Sequence, residues 1–220
     1  MMKIALVIPA YNEAKRIDKF LKSLSGIGLP AVVVDDGSKD KTFEIVNKYP
    51  VNVIKHRINL GKGAAIKTGC DAAFSLGADA IIMMDSDGQH NIDDLQKFVK
   101  ALQTNNYDVV FGSRNMGMGV PFVRFAGNKM ASILVRLLFG AYVSDLLCGY
   151  RAFTKEAYSK LVWQSLGYEI ETEMVINVAK NRLRYCEVPV ETIYYEKFKG
   201  VTVFDGINIF MDIFRWRVIK

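Results

Sequence analysis

Asp85 and Asp87 stand one residue apart near the end of the run Ala-Asp-Ala-Ile-Ile-Met-Met-Asp-Ser-Asp-Gly-Gln-His over 78–90. The apolar stretch 80–84, bounded by Gly77 and Gly88, reads as a buried strand. Alternate side chains of a strand share a face, so both carboxylates can reach one cation. An oxygen-only pair suits Mg²⁺ or Mn²⁺, which bind through one or two carboxylates and substrate phosphates. Asp, Ser and Gly are also ordinary turn residues, so the run taken alone supports a turn as well as it supports a metal site.

Two further polar clusters close apolar runs: Pro9-Ala10-Tyr11-Asn12-Glu13 and Asp35-Asp36-Gly37-Ser38. Singly, Asn12 reads as a helix cap and Asp36-Gly37 as a turn. Together with Asp85 and Asp87 they close the same kind of element on the same sheet edge. Nucleotide recognition asks for that arrangement: acceptors for base and ribose, then a metal for the diphosphate. Asn59-Leu60-Gly61-Lys62-Gly63 adds a glycine-rich helix entrance whose N–H groups and Lys62 can face phosphate. Its spacing is neither that of a P-loop nor that of G-x-G-x-x-G, which argues against an ATPase or a dehydrogenase. His56 and His90 have no ligand spacing to another His or Cys and read as loop or surface residues. Glu169, Glu171 and Glu173 read as a solvated helix start beside the positive dipole end.

The elements that must position these groups alternate. Strands are expected over 3–8, 31–34, 51–55, 80–84 and 108–112, with helices over 13–24, 40–49, 61–76 and 92–102. Such alternation implies βαβ units and a largely parallel sheet with helices on both faces, an α/β fold. Open sheets of this kind bind ligands at the carboxyl ends of their strands. Beyond Arg114 the pattern predicts a loop over 115–120, a long apolar helix over 122–142 and an edge strand over 150–153. Helices near 155–163 and 171–181, strands over 184–188 and 190–195 broken by Pro189, and an aromatic amphipathic helix over 204–219 follow.

Taken in order, Ile-Pro-Ala-Tyr-Asn-Glu (8–13), Asp-Asp-Gly-Ser (35–38), Asn-Leu-Gly-Lys-Gly (59–63) and Asp-Ser-Asp-Gly-Gln-His (85–90) resemble the family 2 glycosyltransferases. Gly-Ser-Arg (112–114) and Ser-Asp-Leu-Leu-Cys-Gly-Tyr-Arg-Ala-Phe (144–153) narrow the resemblance to dolichyl-phosphate mannose synthase and polyprenyl-phosphate glucosyltransferases. The resemblance covers nearly the whole chain. It implies one GT-A domain over 1–220, inverting transfer of mannose or glucose from a GDP- or UDP-sugar, and a dolichyl or polyprenyl phosphate acceptor. It further implies nucleotide-sugar contacts from Pro9, Ala10, Tyr11, Glu13, Asp36, Lys62 and Asp85. A Mg²⁺ or Mn²⁺ site at Asp85, Asp87 and Gln89 follows, with Asp87, Arg114 and Asp145 in the chemistry. Arg114, Arg124, Asn128 and Lys197 fall where relatives hold the acceptor phosphate. Some relatives carry serine at the Asn128 position, and where the family pattern has arginine three residues before a glycine, Lys197 precedes Gly200. Lysine keeps the charge but not the bidentate fork. Residues 1–114 would then bind the nucleotide-sugar and 115–220 the acceptor.

The formal charge of +6 favours an anionic partner, and the scattered basic residues show no nucleic-acid signature. Cys70, Cys148 and Cys186 are far apart, odd in number and outside any C-x-x-C, which reads as thiols in a cytosolic setting. No signal peptide is expected, because the apolar strand begins almost at once. The stretch 130–143 is interrupted by Arg136 and is shorter than the about 20 apolar residues of a spanning helix. The apolar helices over 122–142 and 204–219, with Arg215, Arg217 and Lys220 at the rim of the second, read either as interfacial or as faces packed on the sheet. The interfacial reading puts the protein at the cytoplasmic face of a membrane, bound peripherally or through an anchoring partner protein. Two other readings remain: transfer to a sugar hydroxyl, with Glu171, Glu173 or Asp145 as base, and a non-catalytic nucleotide-sugar-binding module.

Overall fold

The computed structural model describes residues 2–104, 107–114, 122–167, 169–191 and 203–218, except for the side chains at 122, 124 and 203–207. Among the described residues, seven strands form one sheet: β1 (Ile4–Ala10), β2 (Ala31–Asp35), β3 (Asn52–Lys55), β4 (Ala80–Met83), β5 (Val109–Arg114), β6 (Arg151–Thr154) and β7 (Tyr185–Val190). Their order is β3-β2-β1-β4-β6-β5-β7. The helices are α1 (Ile17–Leu24), α2 (Thr42–Val46), α3 (Lys62–Ser75), α4 (Leu95–Thr104), α5 (Phe122–Phe139), α6 (Lys155–Tyr158), α7 (Ile170–Lys180) and α8 (Val203–Val218). A 3₁₀ turn, Ile92–Asp94, leads into α4, capped by the Asn91 side chain accepting from the Asp93 N–H.

Strand alternation sorts the core into two layers. Ile4, Leu6 and Ile8 of β1 pack with α1, α2 and α4, whereas Ala5 and Val7 pack with α3, α5, α7 and α8. Helix α1 follows the expected stripe, burying Ile17, Phe20 and Leu21. Helix α3 lies close on β1 and β2 because Gly69 has no side chain. A Cβ there would meet Val7 Cγ1 at 2.5 Å.

The parallel expectation holds for β1 with β2 and β4, β2 with β3, and β5 with β7. Strand β6 departs from it. Expected as an edge strand, it lies between β4 and β5, antiparallel to both. Its residues are buried on both faces, Arg151 at 1 % exposure and Ala152 at 0 %. A four-residue strand carries too little pattern to reveal its neighbours. Strand β7 runs on through Pro189 where a break was expected. Among the described residues it pairs with β5 alone, and a proline is tolerated on such an edge. Helix α5 stops at Phe139, before Gly140 at φ +89°, and α6 is a single turn.

The chain winds outward from β1 to β2 and β3, then returns through α3 to β4 on the other side of β1. The reversal between β1 and β4 is the topological switch point, where sheets of this type form a crevice.

Candidate active site

Because β1 pairs with both β2 and β4, their carboxyl ends lie side by side: Ala10 is opposite Asp35, and Val7 opposite Met83. The antiparallel β6 brings its amino end, Gly149-Tyr150-Arg151, to the same edge. Asp85 is the first charged residue beyond β4. Its Oδ1 lies 2.7 Å from Lys62 Nζ, which also reaches Glu171 Oε1 at 2.8 Å. Burial opposes the Lys62 ammonium, but Asp85 and Glu171 outweigh it and raise its pKa. Burial likewise opposes the Asp85 carboxylate, yet Lys62, His90 and Arg114 hold it below its ordinary range. Asp87 goes the other way: burial, the Asp85 charge and Glu13 push it up, against the Gln89 N–H that donates to Oδ1 at 2.9 Å.

His90 is buried, correcting the surface reading. Its Nδ1 accepts the Asp85 N–H at 3.2 Å, leaving Nε2 to carry the proton of a neutral ring. Burial pushes its pKa down to about 4. The ring stacks on Tyr150 at 4.7 Å, and Tyr150 stacks on Phe98 of α4 at 4.3 Å. The turn carrying Asp85 and Asp87 is thereby wedged against β6. Glu171 and Glu173 are buried as well, not solvated. Glu173 accepts the Gln164 and Ser165 N–H groups, and Glu171 faces Lys62.

Asp36, 3 % exposed, organises the glycine-rich entrance. Its Oδ1 accepts the Leu60 N–H at 2.9 Å and its Oδ2 the Gly61 N–H at 2.8 Å. His56, read from sequence as a loop or surface residue, lies in the loop after β3 with Nδ1 2.7 Å from Asp36 Oδ1 and Nε2 3.0 Å from Thr68 Oγ1. It bridges Asp36 to α3. The same loop needs its glycines: a Cβ at Gly63 would meet Ser165 O at 2.1 Å, and Gly61 has φ +97°. Asn12, at φ 54°, joins the β1 and β2 ends by donating its N–H to Ser38 Oγ and accepting the Lys39 N–H at Oδ1. Tyr11 is 41 % exposed, whereas Glu13 is buried beside Arg16.

On the other side of β6, Arg114 ends β5. It grips Asp145 through Nε at 2.6 Å and Nη2 at 2.9 Å, a bidentate pair. Asn128 of α5 donates to Asp145 Oδ1 at 2.9 Å and accepts the Leu146 N–H. Three residues expected on the acceptor side therefore form one cluster, with Asp145 at its centre and 1 % exposed. The Arg124 side chain and Lys197 lie outside the described residues. Arg151 donates to the carbonyls of Cys148, Glu171 and Leu146, tying the 145–150 loop to the start of α7.

The model of the family described as glycosyl transferase family 2 matches residues 5–162. The chain belongs to glycosyl transferase family 2. Among relatives of this glycosyltransferase is a UDP-N-acetylglucosamine–dolichyl-phosphate N-acetylglucosaminyltransferase of Methanococcus voltae, 36 % identical over 99 % of this chain and 97 % of that one. Another is a dolichyl-phosphate beta-glucosyltransferase of Trichomonas vaginalis, 33 % identical over 86 % of this chain and 65 % of its own. The fold, GT-A, is that of glucosyl-3-phosphoglycerate synthase from Mycobacterium tuberculosis, solved with phosphoglyceric acid. The two share a TM-score of 0.77 at 19 % identity, covering 100 % of this chain and 81 % of the other.

Within this family 2 glycosyltransferase, the described residues hold no group of three or more His, Cys, Asp or Glu arranged for a metal ion. Asp85 and Asp87 fit instead an ion that completes its shell from water and phosphate oxygens, as Mg²⁺ does. Burial first, and then the Asp85 charge, push Asp87 up, and a cation at the pair would offset both. Two concavities of about 460 and 480 Å³ lie elsewhere, one beside α3 against 163–166 and one under the amino ends of β1 and β2. The residues missed from sequence are His56, His90 and Arg151, while Glu171 was read only as a solvated residue or a candidate base. His90 and Arg151 carried a signal, through their places in the motifs over 85–90 and 144–153.

Proposed function

We propose that this glycosyltransferase moves a hexose, mannose or glucose, with inversion from a GDP- or UDP-sugar to a polyprenyl or dolichyl phosphate. Residues 1–114 bind the donor and 115–220 the acceptor. The observation that carries the reading is the braced Arg114 guanidinium on the same sheet edge as the Asp85–Asp87 carboxylates, close enough to stabilise the Asp85 charge. The Methanococcus voltae relative, whose name specifies a dolichyl phosphate acceptor, supports it over nearly the full length of both chains.

Pro9, Ala10, Tyr11 and Glu13 border the nucleotide, and Asp36 sets the N–H groups of the loop that meets it. The chemistry a divalent cation supplies when held by Asp85, Asp87 and Gln89 is neutralisation of the leaving nucleoside diphosphate. A lipid phosphate, with a second pKa of about 6, is already largely anionic at neutral pH and needs orientation more than a general base. Asp145 and Asn128 supply it by fixing the Arg114 plane before the phosphate arrives; Arg124 and Lys197 add positive charge. The acceptor oxygen bonds to the anomeric carbon as the bond to the diphosphate oxygen breaks, and the diphosphate departs with the electron pair.

Among the described residues no helix is long and apolar enough to cross a membrane. Helix α5 nevertheless exposes Val123, Met130, Ile133 and Leu137 along one face, and α8, which packs on it, exposes Met211, Phe214 and Val218. Arg136, Arg215 and Arg217 flank these stripes. Apolar residues rimmed by arginine suit peripheral docking on an anionic leaflet, here the cytoplasmic face. The expected docking face changes in detail, because Phe210 and Trp216 turn toward the core.

A donor screen with UDP- and GDP-hexoses and UDP-N-acetylglucosamine, Mg²⁺ or Mn²⁺, and a polyprenyl phosphate tests the reading. Formation of a glycosyl phospholipid is expected, and Asp87→Ala should lower its rate by about 100-fold or more with the melting temperature retained. Transfer to oligosaccharide hydroxyls alone would remove the lipid acceptor, and no transfer from any donor would favour a binding module.

A further inference from the structure

Lys62 is held between two carboxylates that come from opposite sides of the site. One is Asp85, from the donor-side turn after β4, and the other is Glu171, from the first turn of α7, 109 residues away in sequence. The second oxygen of Glu171, Oε2, is buried and has no hydrogen-bond partner. A buried carboxylate oxygen without a donor is costly, and the nearest ammonium is already shared with Asp85. Gly149 packs against the same pair, since a Cβ there would lie 2.6 Å from Asp85 Oδ2 and 3.1 Å from Lys62 Nζ. Nothing bulkier comes between lysine and aspartate.

We infer that Lys62 is a built-in counter-ion for Asp85, and that Glu171 is the positioning residue that takes the ammonium over when a divalent cation claims Asp85. The inference rests on the reading of Asp85 and Asp87 as cation ligands. Before the cation binds, Lys62 neutralises Asp85 and keeps two neighbouring carboxylates tolerable. On binding, Nζ turns from Asp85 Oδ1 onto the unpartnered Oε2 of Glu171. No charge leaves the site, so the cation displaces an ammonium without expelling it into water. Glu171 then sets cation affinity through Lys62, without touching the cation.

Mn²⁺ titration of the donor-free protein, followed by electron paramagnetic resonance, tests this alongside thermal melts. Lys62→Met should tighten Mn²⁺ by about tenfold, and Glu171→Gln should weaken it by a similar factor. In the Lys62→Met/Glu171→Gln double variant, which leaves no unpaired buried glutamate, the Glu171 effect should vanish. A Glu171 effect that persists without Lys62 would mean a simple field effect and overturn the hand-over. Affinities unchanged in all variants, with only melting temperatures lowered, would reduce the pair to a structural tie and overturn it too. A wild-type protein that binds no Mn²⁺ would instead overturn the cation-site reading beneath it.

Discussion

Gly149 shows how little room the candidate site leaves at single positions. It carries no chemistry, yet the absent Cβ is what lets Asp85 Oδ2 and Lys62 Nζ occupy their places. Gly149→Ala should therefore displace the Asp85 carboxylate while leaving the sheet intact. The expected result is a loss of turnover on the order of tenfold to 100-fold, because misplacing a reacting group by an ångström costs that much. Steady-state kinetics beside a thermal melt checks it; full activity would mean that Asp85 has slack the geometry does not suggest. Asp36 makes the complementary point. Its carboxylate collects two loop N–H groups and His56, so in the proposed donor site it acts through the shape of the loop.

At the scale of elements, one buried side chain decides whether the halves of the site stay in register. Arg151, fully buried, satisfies three carbonyls from the 145–150 loop and from α7. Arg151→Met removes all three donors at once and should destabilise the fold by about 3 kcal/mol or more, the usual cost of breaking a buried charged network. Urea unfolding would read this as a lowered midpoint with the slope retained. Helices α5 and α8 carry the second expectation. Replacing Leu137 and Phe214, both exposed, with glutamate should abolish co-sedimentation with anionic vesicles while leaving the melting temperature unchanged. Binding that survives both changes would place the docking face elsewhere.

At the scale of the molecule, the two-layered core leaves its thiols without chemistry. Cys70 and Cys148 are buried, and burial pushes the Cys148 thiol up to about 12 and the Cys70 thiol well above its ordinary value. Raised thiol pKa values mean that almost no thiolate exists at pH 8, so a disulfide reagent should leave both unmodified in the native protein and label them on unfolding. Rapid native labelling of Cys148 would show that the 145–150 loop opens. Much of this architecture was legible beforehand. Apolar runs ending in Asp35, Asp85 and Arg114 identified strands and the edge where their ends gather, because strand period and strand-end polarity are local properties of a chain. The motif order was sufficient for the family as well. The position of β6 was not legible, since a four-residue strand with three buried residues fits several neighbours equally well. Nor were the burial of His90 and Glu171 and the bridging place of the half-buried His56, whose local sequences read as loop and solvated helix start. Lys62 meeting Glu171, and Arg114 meeting Asp145 and Asn128, are encounters between distant segments. Sequence by itself determined which strands form and which of their ends carry the polar clusters of the candidate site. Only the tertiary structure decided which charges face one another there, because an ion pair depends on approach through space, and that approach is set by the packing of the whole sheet.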